Sequence, residues 1–151
     1  MTTFNELMDA LITHQSEIGF FESISRHEPK ARPTEGLTAA SWFQRTAPVP
    51  GASGLAATTV RVEFITRIYT NMLAEPADEI DPDIYDAADT LIAAYTAGFT
   101  LGGLVRNVDV LGAYGEALQT QAGYLNQQGA LYRVFDVITP LIVNDMYTQT
   151  A

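Results

Sequence analysis

Residues 75–89, EPADEIDPDIYDAAD, contain the densest group of potentially reactive side chains in the sequence. Its carboxylates are Glu75, Asp78, Glu79, Asp81, Asp83, Asp86 and Asp89. Such a group could bind calcium, supply catalytic acids or form the start of a helix. An EF-hand loop needs oxygen ligands at positions 1, 3, 5 and 12, with glycine at position 6. Counted from Asp81, positions 5, 6 and 12 are Tyr85, Asp86 and Ile92, so this template fails. A helix start is favoured over an adventitious divalent-cation site, and catalytic carboxylates come third.

The residue types after position 80 are those that the N-terminus of a helix prefers. We predict Asp81 at the N-cap, Pro82 at the first helical position and Asp83 in the first turn. One face then carries Ile84, Ala87, Ala88, Leu91, Ile92 and Tyr95, which leaves Asp86 and Asp89 toward solvent. Like-charge neighbours cost a few tenths of a kcal/mol per pair. Burying each large apolar side chain returns about 1.5–3 kcal/mol, so packing outweighs the repulsion.

Other arrangements that could support catalysis or cofactor binding are weak. The two histidines, His14 and His27, have no serine in a G-x-S-x-G elbow beside them, and the chain has no cysteine for zinc or disulfides. The segment GFTLGG lacks the spacing of a phosphate-binding or dinucleotide-binding loop. We therefore predict a protein that is not an enzyme, with no catalytic, cofactor or metal site.

Composition restricts the classes of partner. A chain of 151 residues predicts one domain spanning 1–151. The net charge of −10 and eight scattered basic residues argue against sequence-specific nucleic-acid binding. The first basic residue is Arg26, so we expect no secretory signal, and no apolar run approaches the roughly 20 residues that span a bilayer. We expect a soluble protein made in the cytoplasm, without a membrane partner.

Charge is distributed unevenly along the chain. Residues 46–60, 90–105 and 117–132 contain no charged side chain, and the sequence has one lysine. Interfaces deplete lysine and glutamate but keep arginine, so the uncharged surface predicts a covering partner; a genomic bias toward arginine would explain only the missing lysines. Trp42 is either a core aromatic on a sheet face or an interface anchor with Arg45. The candidate interface residues are Trp42, Arg45, Pro48, Val49, Pro50, Leu55, Arg61 and Arg67.

These residues must be positioned by two helices and six strands. A first helix in TTFNELMDALITHQSEIG begins with the capping-box pair Thr3 and Glu6. Strands are predicted at 20–29, 37–49, 55–72, 104–112, 119–127 and 130–147, and the second and third form a long projecting β-hairpin with an uncharged tip. NQQG predicts a turn, and Pro140 predicts a bulge or an edge in the last strand. The order predicts an α+β fold: a single mostly antiparallel (mixed) sheet of about five to six strands with two helices packed on one face.

Four segments carry a family resemblance: HEPKARPTEGLTAASWFQRTAPVPGASGL, VEFITRIYTNM, GGLVRNVDVLGAYG and AGYLNQQGALYRVFDVITPLIVNDMY. They resemble the tail terminator proteins of long-tailed (siphovirus-type) bacteriophages, particularly those infecting actinobacteria. The similarity covers roughly residues 19–148 and lies in extended sequence texture. It implies a virion component, assembled in the host cytoplasm, that forms a homo-oligomeric ring, usually a hexamer, at the head-proximal end of the tail. It also implies contacts with the tail tube protein and a head-side connector or head-completion protein.

The resemblance implies a structural function, in which the ring stops polymerisation of the tail tube and offers a docking face to the connector. Six copies would carry a charge on the order of −60, so an acidic channel would repel the phosphates of DNA passing through the lumen. Another tail-tube or head–tail joining protein is the alternative within this class. From a different class, an acidic protein-binding or calcium-binding module also fits the composition.

Overall fold

The computed structural model describes residues 2–21, 23–26, 36–71, 80–127 and 129–148, which form an α+β fold. The helices in these ranges are α1 (Phe4–Glu17) and α2 (Ile80–Ala97). The strands are β1 (Ser23–Ser25), β2 (Thr38–Pro48), β3 (Ala57–Asn71), β4 (Asn107–Val108), β5 (Gln119–Gln127) and β6 (Ala130–Thr148). A short 3-10 helix, Pro50–Ala52, joins β2 to β3.

The described strands form one mixed sheet in the order β1–β2–β3–β6–β4, with β5 also paired to β6. Strand β1 is parallel to β2, and every other described pair is antiparallel. Strand β3 pairs with one side of β6 along most of the length of β6. The other side of β6 pairs with β5 along its first half and with β4 further on. The predicted fold class and the long β2–β3 hairpin are thereby confirmed.

Both helices cover the same face of the sheet. On β3, Val60, Val62, Phe64 and Ile68 point to this face because side chains alternate along a strand. The register pairs Val62 with Leu141 and Ile68 with Phe135, so β6 extends the same apolar surface. Helix residues that close the core are Leu7, Met8, Leu11, Ile84, Ala87, Ala88, Leu91 and Tyr95. Burial of these side chains is the main stabilising contribution of both helices.

Helix α1 begins with the predicted capping box. The Glu6 backbone N–H donates to Thr3 Oγ1 over 3.2 Å, and the Thr3 N–H donates to Glu6 Oε2 over 3.1 Å. Further along, buried Gln15 uses its amide Nε2 to donate to Ser41 Oγ at 2.8 Å and to Thr66 Oγ1 at 3.2 Å. These bonds satisfy polar groups that would otherwise be costly to bury, and they fix α1 against the middle of the sheet.

The strand predicted at 104–112 is largely wrong, since β4 contains two residues. The carboxylate of Asp109 explains this, because it accepts from the Ala113 N–H at 2.7 Å and the Tyr114 N–H at 3.0 Å. Those bonds close a turn that a continuing strand could not make. The strand predicted at 20–29 is likewise shorter and comprises Ser23–Ser25, with positions 27–29 outside the described residues.

Two local predictions are corrected or refined by the observed backbone. Helix α2 already includes Ile80, so Asp81 and Pro82 lie inside its first turn instead of at the N-cap and the first helical position. No bulge occurs at Pro140, which keeps regular register with Glu63. The Pro140 carbonyl accepts from the Asp109 N–H at 2.9 Å. The Pro140 nitrogen points to the same side as this carbonyl, toward the part of β6 between its pairings with β5 and β4. The missing N–H therefore falls at a local edge, as expected for proline.

Candidate functional site

The hairpin tip, residues 49–56, holds its own shape through hydrogen bonds. Ser53 Oγ donates to the Val49 carbonyl at 2.7 Å and accepts from the Thr59 N–H at 3.1 Å. The Val49 N–H in turn donates to the Thr59 carbonyl at 2.9 Å, which ties both arms together. A turn closed by side-chain and backbone bonds loses little further entropy when another molecule packs on it.

The tip exposes apolar groups without any charge. Leu55 is 97% exposed and Pro50 is also exposed, as is Pro48 at the adjoining end of β2. Val49 is only 2% exposed, and its backbone carbonyl and N–H bond to Ser53 and Thr59. A fully exposed leucine on an ordered, uncharged turn is a surface that gains free energy when a partner removes it from water. We therefore retain Pro48, Pro50 and Leu55 as candidate contacts and leave Val49 out.

Trp42 and Arg67 meet on the sheet face opposite the helices. The Arg67 guanidinium binds Asp136 through two bonds, Nε to Oδ1 at 2.8 Å and Nη2 to Oδ2 at 3.1 Å. Its Cζ lies 5.3 Å from the centre of the Trp42 ring, within cation–π distance. Trp42 is half-buried and packs beside the small cluster of Ala40, Tyr69, Tyr132 and Val134. The two candidates are adjacent in space, and Trp42 takes part in the fold while part of its ring surface stays accessible.

Arg61 is a structural residue at the centre of a buried charge network. Its side chain is 4% exposed and forms ion pairs with Glu63 and with Asp109, the latter at 3.5 Å. It also donates to the Glu116 carbonyl. Arg45, with its side chain 59% exposed, pairs with the other oxygen of Glu63. Because Arg61 has almost no free surface, we leave it out of the candidate interface and keep Arg45.

Sequence reasoning missed the network around Arg61, although one signal was present. The alternation of β3 places Arg61, Glu63 and Arg67 on the face opposite Val60, Val62 and Phe64. Opposite charges two residues apart on one strand face predict an ion pair. The contribution of Asp109 comes from a turn 48 residues away, and no local pattern indicates it.

An apolar groove of about 440 Å³ lies beside the base of the hairpin. Its lining residues carry no charge: Phe4, Leu7, Phe43, Thr46, Val62, Met146 and Tyr147. Phe4 and Phe43 make edge-to-face contact with ring centres 6.2 Å apart, and both remain substantially exposed. The hairpin end of the sheet thus presents uncharged surface on its helix-facing side as well as at its tip.

The remaining sequence candidates are the histidines and the carboxylates of residues 75–89. His14 packs edge-on against Tyr95 at 5.6 Å, whereas His27 lies outside the described residues. Asp81 pairs with Arg133 at 2.9 Å, and Asp83, Asp86 and Asp89 are exposed on α2. Glu75, Asp78 and Glu79 fall in a range that the structure does not describe. Within the described ranges, no three histidine or carboxylate side chains are grouped to hold a metal ion.

Neither α1 nor α2, the helices of the described residues, is both long enough and apolar enough to cross a bilayer.

Comparisons with known proteins give weak similarity by fold to solved structures. No protein-family profile and no curated protein matches the sequence. A chain from the structure "Virion of native gene transfer agent (GTA) particle" is similar, with 15% identity and a TM-score of 0.45. The alignment covers 91% of this chain and 93% of that chain. At this identity and TM-score, the similarity carries no conclusion about activity or partners.

Proposed function

We propose that this chain is a structural virion protein that forms a ring, hexameric by the family resemblance, on the head-proximal end of a phage tail tube. The ring stops polymerisation of the tube and provides the docking face for the head-side connector or head-completion protein. The observation that carries the proposal is the ordered, uncharged hairpin tip with its exposed Leu55. The sequence resemblance over most of the chain supplies the class of assembly.

Electrostatics explains why an uncharged surface favours contact between copies. Each copy carries a net charge of −10, so copies repel one another at long range. An uncharged surface avoids this repulsion and the cost of desolvating unpaired charge, and residues 46–60 supply one at the end of the hairpin. Removing Leu55 and the flanking prolines from water favours contact at about 25 cal/mol per Å² of apolar area.

The proposed ring contact uses the candidates that remain accessible in one chain: Trp42, Arg45, Pro48, Pro50, Leu55 and Arg67. Sister chains cover the hairpin tip, the tail tube binds one rim of the ring and the connector binds the other. Capping follows because the bound ring hides the growing edge of the last tube layer. In this account no catalytic group and no cofactor takes part, and DNA passes through an acid-lined lumen.

Sedimentation and electron microscopy of the purified chain, alone and with polymerising tail tube protein, test the proposal. We expect closed rings of fixed mass and tubes of limited length with a ring at one end. Open-ended polymers of the chain itself would instead support the tube-protein alternative. A chain that stays monomeric and leaves tube length unchanged would contradict the proposed function.

A further inference from the structure

Arg106 differs from the other arginines of the described residues. Their carboxylate partners are Asp9 for Arg26, Glu63 for Arg45 and Arg61, Asp136 for Arg67, and Asp81 for Arg133. Arg106 is exposed and forms no ion pair with any described residue. In a chain with 18 acidic and eight basic residues, an arginine without an internal acid is available to an acid from outside.

An apolar pocket of about 730 Å³ lies beside this guanidinium. Phe99 and Val108 line it together with Leu111, which is 92% exposed. We call Arg106, Phe99, Val108 and Leu111 together the Arg106 pocket. A cation at the border of an apolar depression suits a ligand that combines a carboxylate with an aromatic or aliphatic group.

The start of α2 presents that combination on its outer surface. Tyr85, Asp86 and Asp89 are exposed, and Asp89 shares a side of the helix with both others because it lies four residues after Tyr85 and three after Asp86. Neither aspartate forms an ion pair with a described residue. Tyr85 and Asp89 also line a groove of about 410 Å³ against Phe135 of β6. We call Tyr85, Asp86 and Asp89 the acidic face.

The Arg106 pocket and the acidic face of one copy cannot reach each other. The Arg106 N–H donates to the Ile142 carbonyl at 2.8 Å, whereas the acidic face lies next to Phe135. Seven residues of β6 separate these positions, which is about 23 Å along an extended strand. The two complementary surfaces therefore lie toward opposite ends of the sheet.

We propose that the Arg106 pocket of one copy binds the acidic face of the next copy. The guanidinium pairs with Asp86 and Asp89, and the Tyr85 ring enters the apolar part of the pocket. The contact is heterologous, since two different surfaces meet, and repetition around a closing rotation generates a ring. This inference rests on the proposed ring function and names the surfaces that join its subunits.

The hairpin tip lies at the same end of the sheet as the Arg106 pocket. Ile142, which binds the Arg106 N–H, is also the register partner of Arg61, close to where β3 leaves the tip. One end of each copy thus carries both the apolar tip and the basic pocket. Both reach the same neighbour, so an apolar contact and a charged contact act in one interface.

Charge reversal tests the pairing directly. Arg106→Glu should convert rings to monomers, as should Asp86→Arg combined with Asp89→Arg, because each places like charges together. Combining all three changes should restore ring mass, because the charges are exchanged. Arg26→Glu is the matched control, since Arg26 forms its exposed ion pair with Asp9 on α1 and should keep the ring.

Disulfide trapping provides an independent measurement because the chain has no cysteine. Mixed Arg106→Cys and Asp86→Cys variants should form a covalent heterodimer on oxidation, and neither variant should form a comparable dimer alone. Rings that survive Arg106→Glu, or no heterodimer where wild-type rings form, would overturn the docking proposal and leave the proposed function standing. Wild-type protein that remains monomeric even with tail tube protein would overturn both.

Discussion

The guanidinium of Arg61 lies 3.5 Å from the carboxylate of Asp109, although 48 residues separate them in sequence. Arg61 comes from the second arm of the hairpin, and Asp109 opens the turn after β4. The same guanidinium also reaches Glu63 and the Glu116 carbonyl, so the contacts of one side chain fasten this turn across the sheet. This buried charge network therefore stabilises the end of the sheet that carries the hairpin tip.

Replacing Arg61 should destabilise the fold strongly. Arg61→Met keeps the bulk of the stem but leaves Glu63 and Asp109 buried with one cation fewer, and removal of one member of such a group costs about 3–5 kcal/mol. Urea unfolding followed by circular dichroism gives the free energy of unfolding. Arg26→Met, which breaks an exposed pair, is the control and should change it by less than about 1 kcal/mol. A change no larger than this at Arg61 would show that the network is not stabilising.

Leu55→Asp should separate folding from assembly. The side chain is 97% exposed, so the free energy of unfolding should stay within about 0.5 kcal/mol of wild type. Ring formation should be lost, because a carboxylate would be desolvated where a leucine was buried. Mass by sedimentation or light scattering is the readout, with Asn126→Asp as a control of equal charge, because Asn126 is exposed on β5 opposite the uncharged Leu131. Intact rings from Leu55→Asp would remove the tip from the interface.

Deleting residues 48–54 should be more disruptive than the point change. Val49 and Ser53 lie in this range, and both take part in the packing and bonds that close the hairpin. We expect no rings and no capping of tubes. Loss of folding would be detected by circular dichroism, and it would leave Leu55→Asp as the deciding variant. Tubes of normal length formed with a folded deletion variant would contradict the function given to the tip.

Tyr95 should make stability fall at alkaline pH. Complete burial raises the pKa of this phenol well above its ordinary value, while hydrogen bonds from Gln15 and Thr66 oppose the shift. In the unfolded chain the phenol ionises near pH 10, so above that pH the unfolded state loses its proton first and is favoured. The free energy of unfolding should therefore begin to drop near pH 10 and continue to fall as the pH rises further, and Tyr95→Phe should reduce the drop. An identical drop in both proteins would assign the effect to other groups.

The strands that bury one face were predictable because alternation is a local signal. Val60, Val62 and Phe64 determine both the existence of β3 and the face that it buries, and the uncharged run after Thr46 locates the tip. The turn that replaces most of the strand at 104–112 was not predictable. It depends on backbone N–H groups four and five residues after Asp109 and on Arg61 from another strand. The burial of Val49 and Arg61 was not predictable for the same reason, because it also depends on contacts with other segments. Contacts between distant segments determine which candidate surfaces stay open.

Calcium should not bind at millimolar concentration, which tests the alternative of a calcium-binding module. Asp86 and Asp89 extend outward from a helix, whereas calcium needs six to eight oxygens that converge on one point. Isothermal titration of the full chain, including the acidic residues at 75–79, should give no binding heat, and the melting temperature should not change with added calcium. Magnesium at equal ionic strength controls for screening. A saturable heat with a calcium-dependent rise in melting temperature would favour the binding-module function over the ring. Such binding would require the acidic residues to converge on an ion instead of facing a neighbouring subunit.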